Sequence, residues 1–116
     1  MMFGDQTSLE DAGRIVADAQ EKGCNFIDTA DVYSLGKSEE IVGQVLKGQR
    51  QRWVLASKVG NAMSELPNNQ GYSRSWMLRA CEDSLRRLAT DHLDIYYLHR
   101  DFNGMSLEEP LRAIEA

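Results

Sequence analysis

Residues 23–34 read GCNFIDTADVYS. Gly23 is placed to end a helix. The run CNFID (24–28) is short, apolar and bounded by loop residues, which is the pattern of a strand buried among neighbours. It closes on Asp28, and a buried carboxylate is costly unless something pairs with it. Asp31 and Tyr33 follow within five positions, in the loop leaving the strand. The stretch therefore predicts a strand with a polar end, and it poses the question of what Asp28 is paired with.

Outward from this strand the chain alternates regularly. Before it, residues 8–22 carry Leu9, Ala12, Val16 and Ala19 at helical spacing, with Ser8 and Asp11 as a capping box. After it, SEEIVGQVLK (38–47) predicts a helix capped by Ser38, with acids in its first turn and a stop near Gly48. WVLASK (53–58) is a second apolar strand. A loop rich in Gly, Asn and Pro follows over 59–72. Residues 73–90 predict a helix with Met77, Cys81, Ser84, Leu85 and Leu88 on one side, and Arg79, Asp83, Arg86 and Arg87 largely elsewhere. HLDIYYLH (92–99) is a third strand. Ser106 and Glu109 predict a capping box for a last helix that tolerates Pro110 early.

Strict alternation of helices with strands that read as apolar runs predicts an α/β fold with a parallel sheet built from βαβ units. The chain starts directly before a loop, with no strand ahead of the first helix, and stops at Ala116 in a helix barely begun. The expectation is one partial domain, residues 1–116, truncated at both ends.

Composition excludes several functions. The 116 residues are 42% hydrophobic and 27% charged, with a net charge of −5 and scattered basic residues. This argues against nucleic acid or an anionic membrane as partner. Nothing resembles a signal peptide, and no apolar run is long enough to span a bilayer. Cys24 and Cys81 are the only cysteines, and both are expected to be buried free thiols. A reducing, cytoplasmic location fits them, and neither a disulfide nor a metal site is expected.

Three predicted strands end in polar residues of different type: Asp28, Lys58 and His99. In parallel α/β folds the carboxyl ends of the strands share one rim, and ligands bind there. Tyr33 can reach the same rim. Alone, each has an ordinary structural use: a strand-end Asp caps the next helix, a loop Tyr packs, a Lys is solvated. Together they permit specific chemistry. A phenol of pKa ~10 holds its proton at neutral pH, and a nearby ammonium stabilises the phenolate and draws that value down. A carboxylate beside the lysine keeps it charged and fixed. An imidazole opposite can orient a shared substrate oxygen. The set is a proton-donating pocket for a carbonyl, suited to reduction of an aldehyde or ketone if a hydride is supplied.

These residues resemble a known family. GCNFIDTADVYSLGKSEEIVG is similar to the aldo-keto reductase signature, VLASKVG to that family's lysine strand and LDIYYLHRD to its histidine strand. The match runs from about Phe3 to the end of the chain. The resemblance implies a (β/α)8 TIM barrel, of which this chain would hold roughly the second to fourth βα units, since a whole barrel needs about 250 residues. It implies an NADPH-dependent oxidoreductase acting on a small aldehyde or ketone without metal. Tyr33 would be the general acid, Lys58 its activator, Asp28 the partner of Lys58 near the nicotinamide ribose, and His99 the residue that orients the carbonyl. Tyr33 and His99 would contact the substrate. Most of the NADPH site would lie outside this chain, so the 116 residues alone are expected to be inactive. The alternative is a catalytically inactive half-barrel serving as an interaction or regulatory subunit, for which the potassium-channel β subunits of the family are the precedent. Open sheet edges would favour self-association. Arg100 and Asp101 are expected to form a surface ion pair.

Overall fold

The computed structural model describes residues 1–116. Its elements run in the predicted order: α1 (Leu9–Glu21), β1 (Phe26–Asp28), a 3-10 turn (Tyr33–Gly36), α2 (Lys37–Val45), β2 (Val54–Val59), α3 (Arg74–Leu88), β3 (Ile95–Leu98) and α4 (Glu108–Glu115). The strands form a parallel sheet of order β1–β2–β3, with Asp28 in register with Ala56, and Lys58 with Tyr97.

Side chains alternate across a strand, so this register sorts the sheet into two faces. Ile27, Leu55, Ser57, Val59, Tyr96 and Leu98 share the face that the helices cover. Phe26, Asp28, Val54, Ala56, Lys58, Ile95 and Tyr97 share the other. On the covered face two apolar clusters form. Val42 and Leu46 of α2, Val16 of α1, Leu88 of α3, Trp53 and Leu55 make the first. Val59, Tyr72, Trp76, Met77, Ala80 and Ala113 make the second. Removal of a side chain such as Leu55, which is fully buried, carries a cost of about 2–5 kcal/mol by cavity formation.

The opposite face is open. Phe26 is 45% exposed and Tyr97 42% exposed. The apolar runs predict strands covered on both sides, but helices pack on one side only, and the flanking strands β1 and β3 each have one unpaired edge.

Several local expectations are corrected. Ser8 does cap α1, accepting from the Asp11 N–H, but Ser38 does not cap α2. The N-cap is Gly36, and Ser38 lies buried within the helix, where its hydroxyl meets Thr29 Oγ1 at 2.8 Å. Ser106 and Glu109 form no capping box. Leu107 is the N-cap, Ser106 Oγ accepts from the Glu108 N–H, and Glu109 reaches across to the Arg74 N–H at the start of α3. The buried stripe of α3 is Trp76, Met77, Ala80, Ser84 and Leu88, with Cys81 only partly covered. Cys24 is exposed rather than buried, because β1 begins only at Phe26. Arg100 does not pair with Asp101. Its guanidinium sits over the Phe102 ring, 4.7 Å from the centroid.

Candidate active site

The ends of all three strands meet on one rim, and each predicted site residue lies there. Asp28 is the last residue of β1, Lys58 the penultimate residue of β2, and His99 follows the last residue of β3. Tyr33 opens the 3-10 turn after β1. That turn is unusual, since Ser34 (φ 50°), Leu35 (φ 49°) and Gly36 (φ 92°) are all left-handed. Two consecutive non-glycine residues in this region cost of order 1 kcal/mol or more each, and the resulting sharp reversal turns Tyr33 back toward β2.

Lys58 is the hub. Its ammonium has three N–H donors and three partners: Asp28 Oδ1 at 2.9 Å, the Thr29 carbonyl at 2.8 Å and the Tyr33 hydroxyl oxygen at 3.2 Å. The Lys58 side chain is 13% exposed and that of Asp28 45%. The premise that Asp28 is a buried carboxylate is thus corrected, because β1 is an edge strand and the open face leaves the carboxylate in contact with water. The pairing itself is found. Because Lys58 donates to the Tyr33 oxygen, the phenol proton is not used in that contact and is free for another acceptor.

His99 completes the group. Its ring meets Tyr33 edge to face, with centroids 5.7 Å apart. Burial and then the neighbouring Lys58 charge hold its pKa below the ordinary 6.5, while Asp28 pulls weakly the other way. The imidazole is therefore neutral at neutral pH. Its Nδ1 is buried without a hydrogen-bond partner.

Behind the rim, on the helix-covered side, lies a polar layer that the sequence pattern does not announce. Glu39 of α2 is fully buried; it accepts from Ser57 Oγ at 2.5 Å and from Arg87 Nε at 2.7 Å. Asp31 is fully buried and neither carboxylate oxygen has a partner. Its backbone N–H donates to the Lys58 carbonyl at 3.3 Å. Burial, with the Glu39 charge adding to it, pushes the Asp31 carboxyl up to about 7. The Tyr96 hydroxyl is also buried and unpartnered, and burial raises its pKa. A signal for Glu39 was present: it falls in step with Val42, Gly43 and Leu46 on the buried stripe of α2. Arg87, expected on the polar side of α3, turns toward α2 because Glu39 is there.

The aldo/keto reductase family model matches residues 1–116. The chain belongs to the aldo/keto reductase family. It is 35% identical over 113 residues to the uncharacterized oxidoreductase YqkF of Bacillus subtilis, which covers 94% of this chain and 36% of that protein. The solved aldo-keto reductase AKR11C1 from Bacillus halodurans, a holo form, superposes with a TM-score of 0.85 at 40% identity, covering 94% of this chain and 37% of that one. An aldo-keto reductase from Klebsiella pneumoniae in complex with NADPH superposes with a TM-score of 0.79 at 39% identity, covering 92% of this chain and 34% of that one. The chain thus spans about a third of the length of these aldo-keto reductases, and its parallel sheet with covering helices is a part of the family's TIM barrel.

Proposed function

We propose that this chain carries the acid–base site of an NADPH-dependent carbonyl reductase, with Asp28, Tyr33, Lys58 and His99 as its working residues. The observation that carries the reading is the donor arrangement at Lys58. All three of its N–H groups are committed, one of them to the Tyr33 oxygen, so the ammonium stabilises negative charge on that oxygen while the phenol proton points elsewhere. A carbonyl oxygen placed between Tyr33 and His99 would receive that proton from Tyr33. The neutral imidazole of His99 would donate a hydrogen bond to the same oxygen and orient it. As the phenol loses its proton, the charge that develops on its oxygen lies 3.2 Å from Lys58 Nζ, and an oriented charge of this kind stabilises a transition state without reorganisation. Asp28 keeps Lys58 in place.

Asp28 offers one point of contact for a nicotinamide cofactor. Asp28 spends Oδ1 on Lys58, its side chain is 45% exposed, and its second oxygen is available to a ribose hydroxyl on the open face. The bound cofactor would supply the hydride. The small aldehyde or ketone substrate is set by the chemistry of a shared carbonyl oxygen, and its identity by residues beyond the four.

The test follows NADPH oxidation with 4-nitrobenzaldehyde by a complete barrel, in which this chain is joined to the remaining βα units of a related aldo-keto reductase, and by the Tyr33→Phe variant of that barrel. Loss of a general acid lowers turnover on the order of 10²–10⁴-fold. Turnover unaffected by Tyr33→Phe would refute the assignment of the acid.

A further inference from the structure

Tyr72 closes the long loop between β2 and α3 and is only 4% exposed. Its hydroxyl donates to the Arg100 carbonyl at 2.5 Å and accepts from the Arg100 N–H at 2.9 Å. One phenol oxygen, with one proton and two lone pairs, thus satisfies both backbone groups of a single residue. The position of that residue matters. The β2–β3 ladder ends with Val59 opposite Leu98 and with the His99 N–H donating to the Val59 carbonyl at 2.8 Å. Arg100 is the first residue beyond this ladder, and Tyr72 supplies the pairing that β2 no longer can.

On its other side the hydroxyl end of the Tyr72 ring lies close against Gly60. A Cβ there would stand 2.5 Å from Tyr72 Cε1 and 2.6 Å from its hydroxyl oxygen, and Gly60 has φ +135°. Only glycine lets the ring approach this closely. Phe102 meets the ring edge to face at 5.1 Å. Tyr72 therefore braces the segment two residues after Lys58 against the segment directly after His99.

The imidazole needs such a brace. Nδ1 of His99 has no hydrogen-bond partner, so no bond through that nitrogen sets the ring. Its orientation rests on the backbone either side of it and on the edge contact with Tyr33. We infer that Tyr72 is a positioning residue of the proposed site: by pinning both backbone groups of Arg100 it fixes the His99 imidazole against Tyr33 and Lys58. The inference rests on the reading of His99 as the group that orients the carbonyl.

Tyr72→Phe tests it, because the ring and its packing on Gly60 and Phe102 are kept and only the hydroxyl is lost. Amide hydrogen exchange and imidazole NMR are read on the intact chain. A net hydrogen bond of about 1 kcal/mol corresponds to a factor of about 5, so the Arg100 amide exchanges about 5-fold faster. The Asp94 amide, bonded to Leu55 at the other end of β3, is unchanged. The His99 titration midpoint moves up toward the ordinary imidazole value, since a looser ring regains water and draws away from Lys58. The charged and titratable groups around it, Lys58 of β2, Asp28 of β1 and Tyr33 of the turn, are untouched by the substitution. A His99 midpoint identical to that of the unaltered chain overturns the inference, because Tyr72 then serves packing alone. Equal acceleration at Asp94 and Arg100 overturns it as well. Failure of the proposed reaction would appear separately, as aldehyde reduction by the completed barrel indifferent to Tyr33→Phe, and would leave the His99 and Arg100 readouts on this chain to decide about Tyr72.

Discussion

Asp31→Asn offers a direct measure of the buried layer behind the rim. Asp31 is fully buried with no well-formed hydrogen bond to either carboxylate oxygen, and burial, then the Glu39 charge, push it from 3.8 to about 7 against the weaker opposing pull of the Val32 N–H, the Arg87 charge and its own N–H. Below pH 3.8 the folded and unfolded chains both hold this proton. Between 3.8 and about 7 the unfolded chain releases it while the folded chain keeps it, so stability falls as pH rises through this interval. Above about 7 both are ionised and the loss is complete. At 1.36 kcal/mol per pH unit the interval is worth roughly 4 kcal/mol. Set against a typical total of about 5–15 kcal/mol, that is a large fraction.

Asparagine copies the shape of the protonated acid and cannot ionise. It leaves polar atoms unpaired as the acid does, so the difference in stability between the two proteins isolates the charge. Other titrating groups are common to both and cancel. Urea unfolding at a series of pH values from 4 to 8 should show the Asn variant gaining on the unaltered chain by roughly 4 kcal/mol across the series. With m of about 1–3 kcal/mol/M, the two midpoints then separate by more than about 1 M. A stability difference that stays constant from pH 4 to pH 8 would refute the picture of a carboxylate held protonated by its surroundings.

Two further expectations concern charge. Arg87→Met leaves Glu39 buried with only Ser57 to satisfy it, and should destabilise the chain by about 3–5 kcal/mol in urea unfolding. Combining it with Glu39→Leu should recover at least half of that loss, and a double variant no more stable than Arg87→Met would show that packing rather than charge was lost. At the rim, Lys58→Met should raise the His99 titration midpoint, because the lysine charge holds it down, whereas Asp28→Asn should lower it. Imidazole NMR reads both, and midpoints that move in the same direction would contradict the geometry.

Much of the rim was legible from residue order alone, for a physical reason. A parallel sheet places every strand's carboxyl end on one side, so Asp28, Lys58 and His99 needed only the strand assignments to be brought together. Those assignments rested on apolar runs bounded by loop residues, a local signal. Which face of each strand is covered is not local. Phe26 and Tyr97 look like core residues in the sequence, yet they lie on the open face, and that depends on what packs above the sheet rather than on the strand itself. The caps failed for a similar reason. Ser38 has the composition of an N-cap, but the left-handed turn at Ser34–Gly36 puts the cap two residues earlier, at Gly36, and carries Ser38 into contact with Thr29.

The residues hardest to foresee are charged ones inside helices, and β2 shows why they matter. Alternation along this central strand sends Lys58 to the open face and Ser57 to the covered one. Lys58 binds Asp28 and Tyr33, while Ser57 binds Glu39, which in turn holds Arg87. Two adjacent residues thus join the rim residues Asp28 and Tyr33 to a buried ion pair through the strand between them. Asp31 links the layers again, since its backbone N–H bonds the Lys58 carbonyl while its side chain enters the buried layer. Lys58 is thus bonded at its backbone carbonyl by Asp31 on one side of the sheet and at its ammonium by Asp28 on the other.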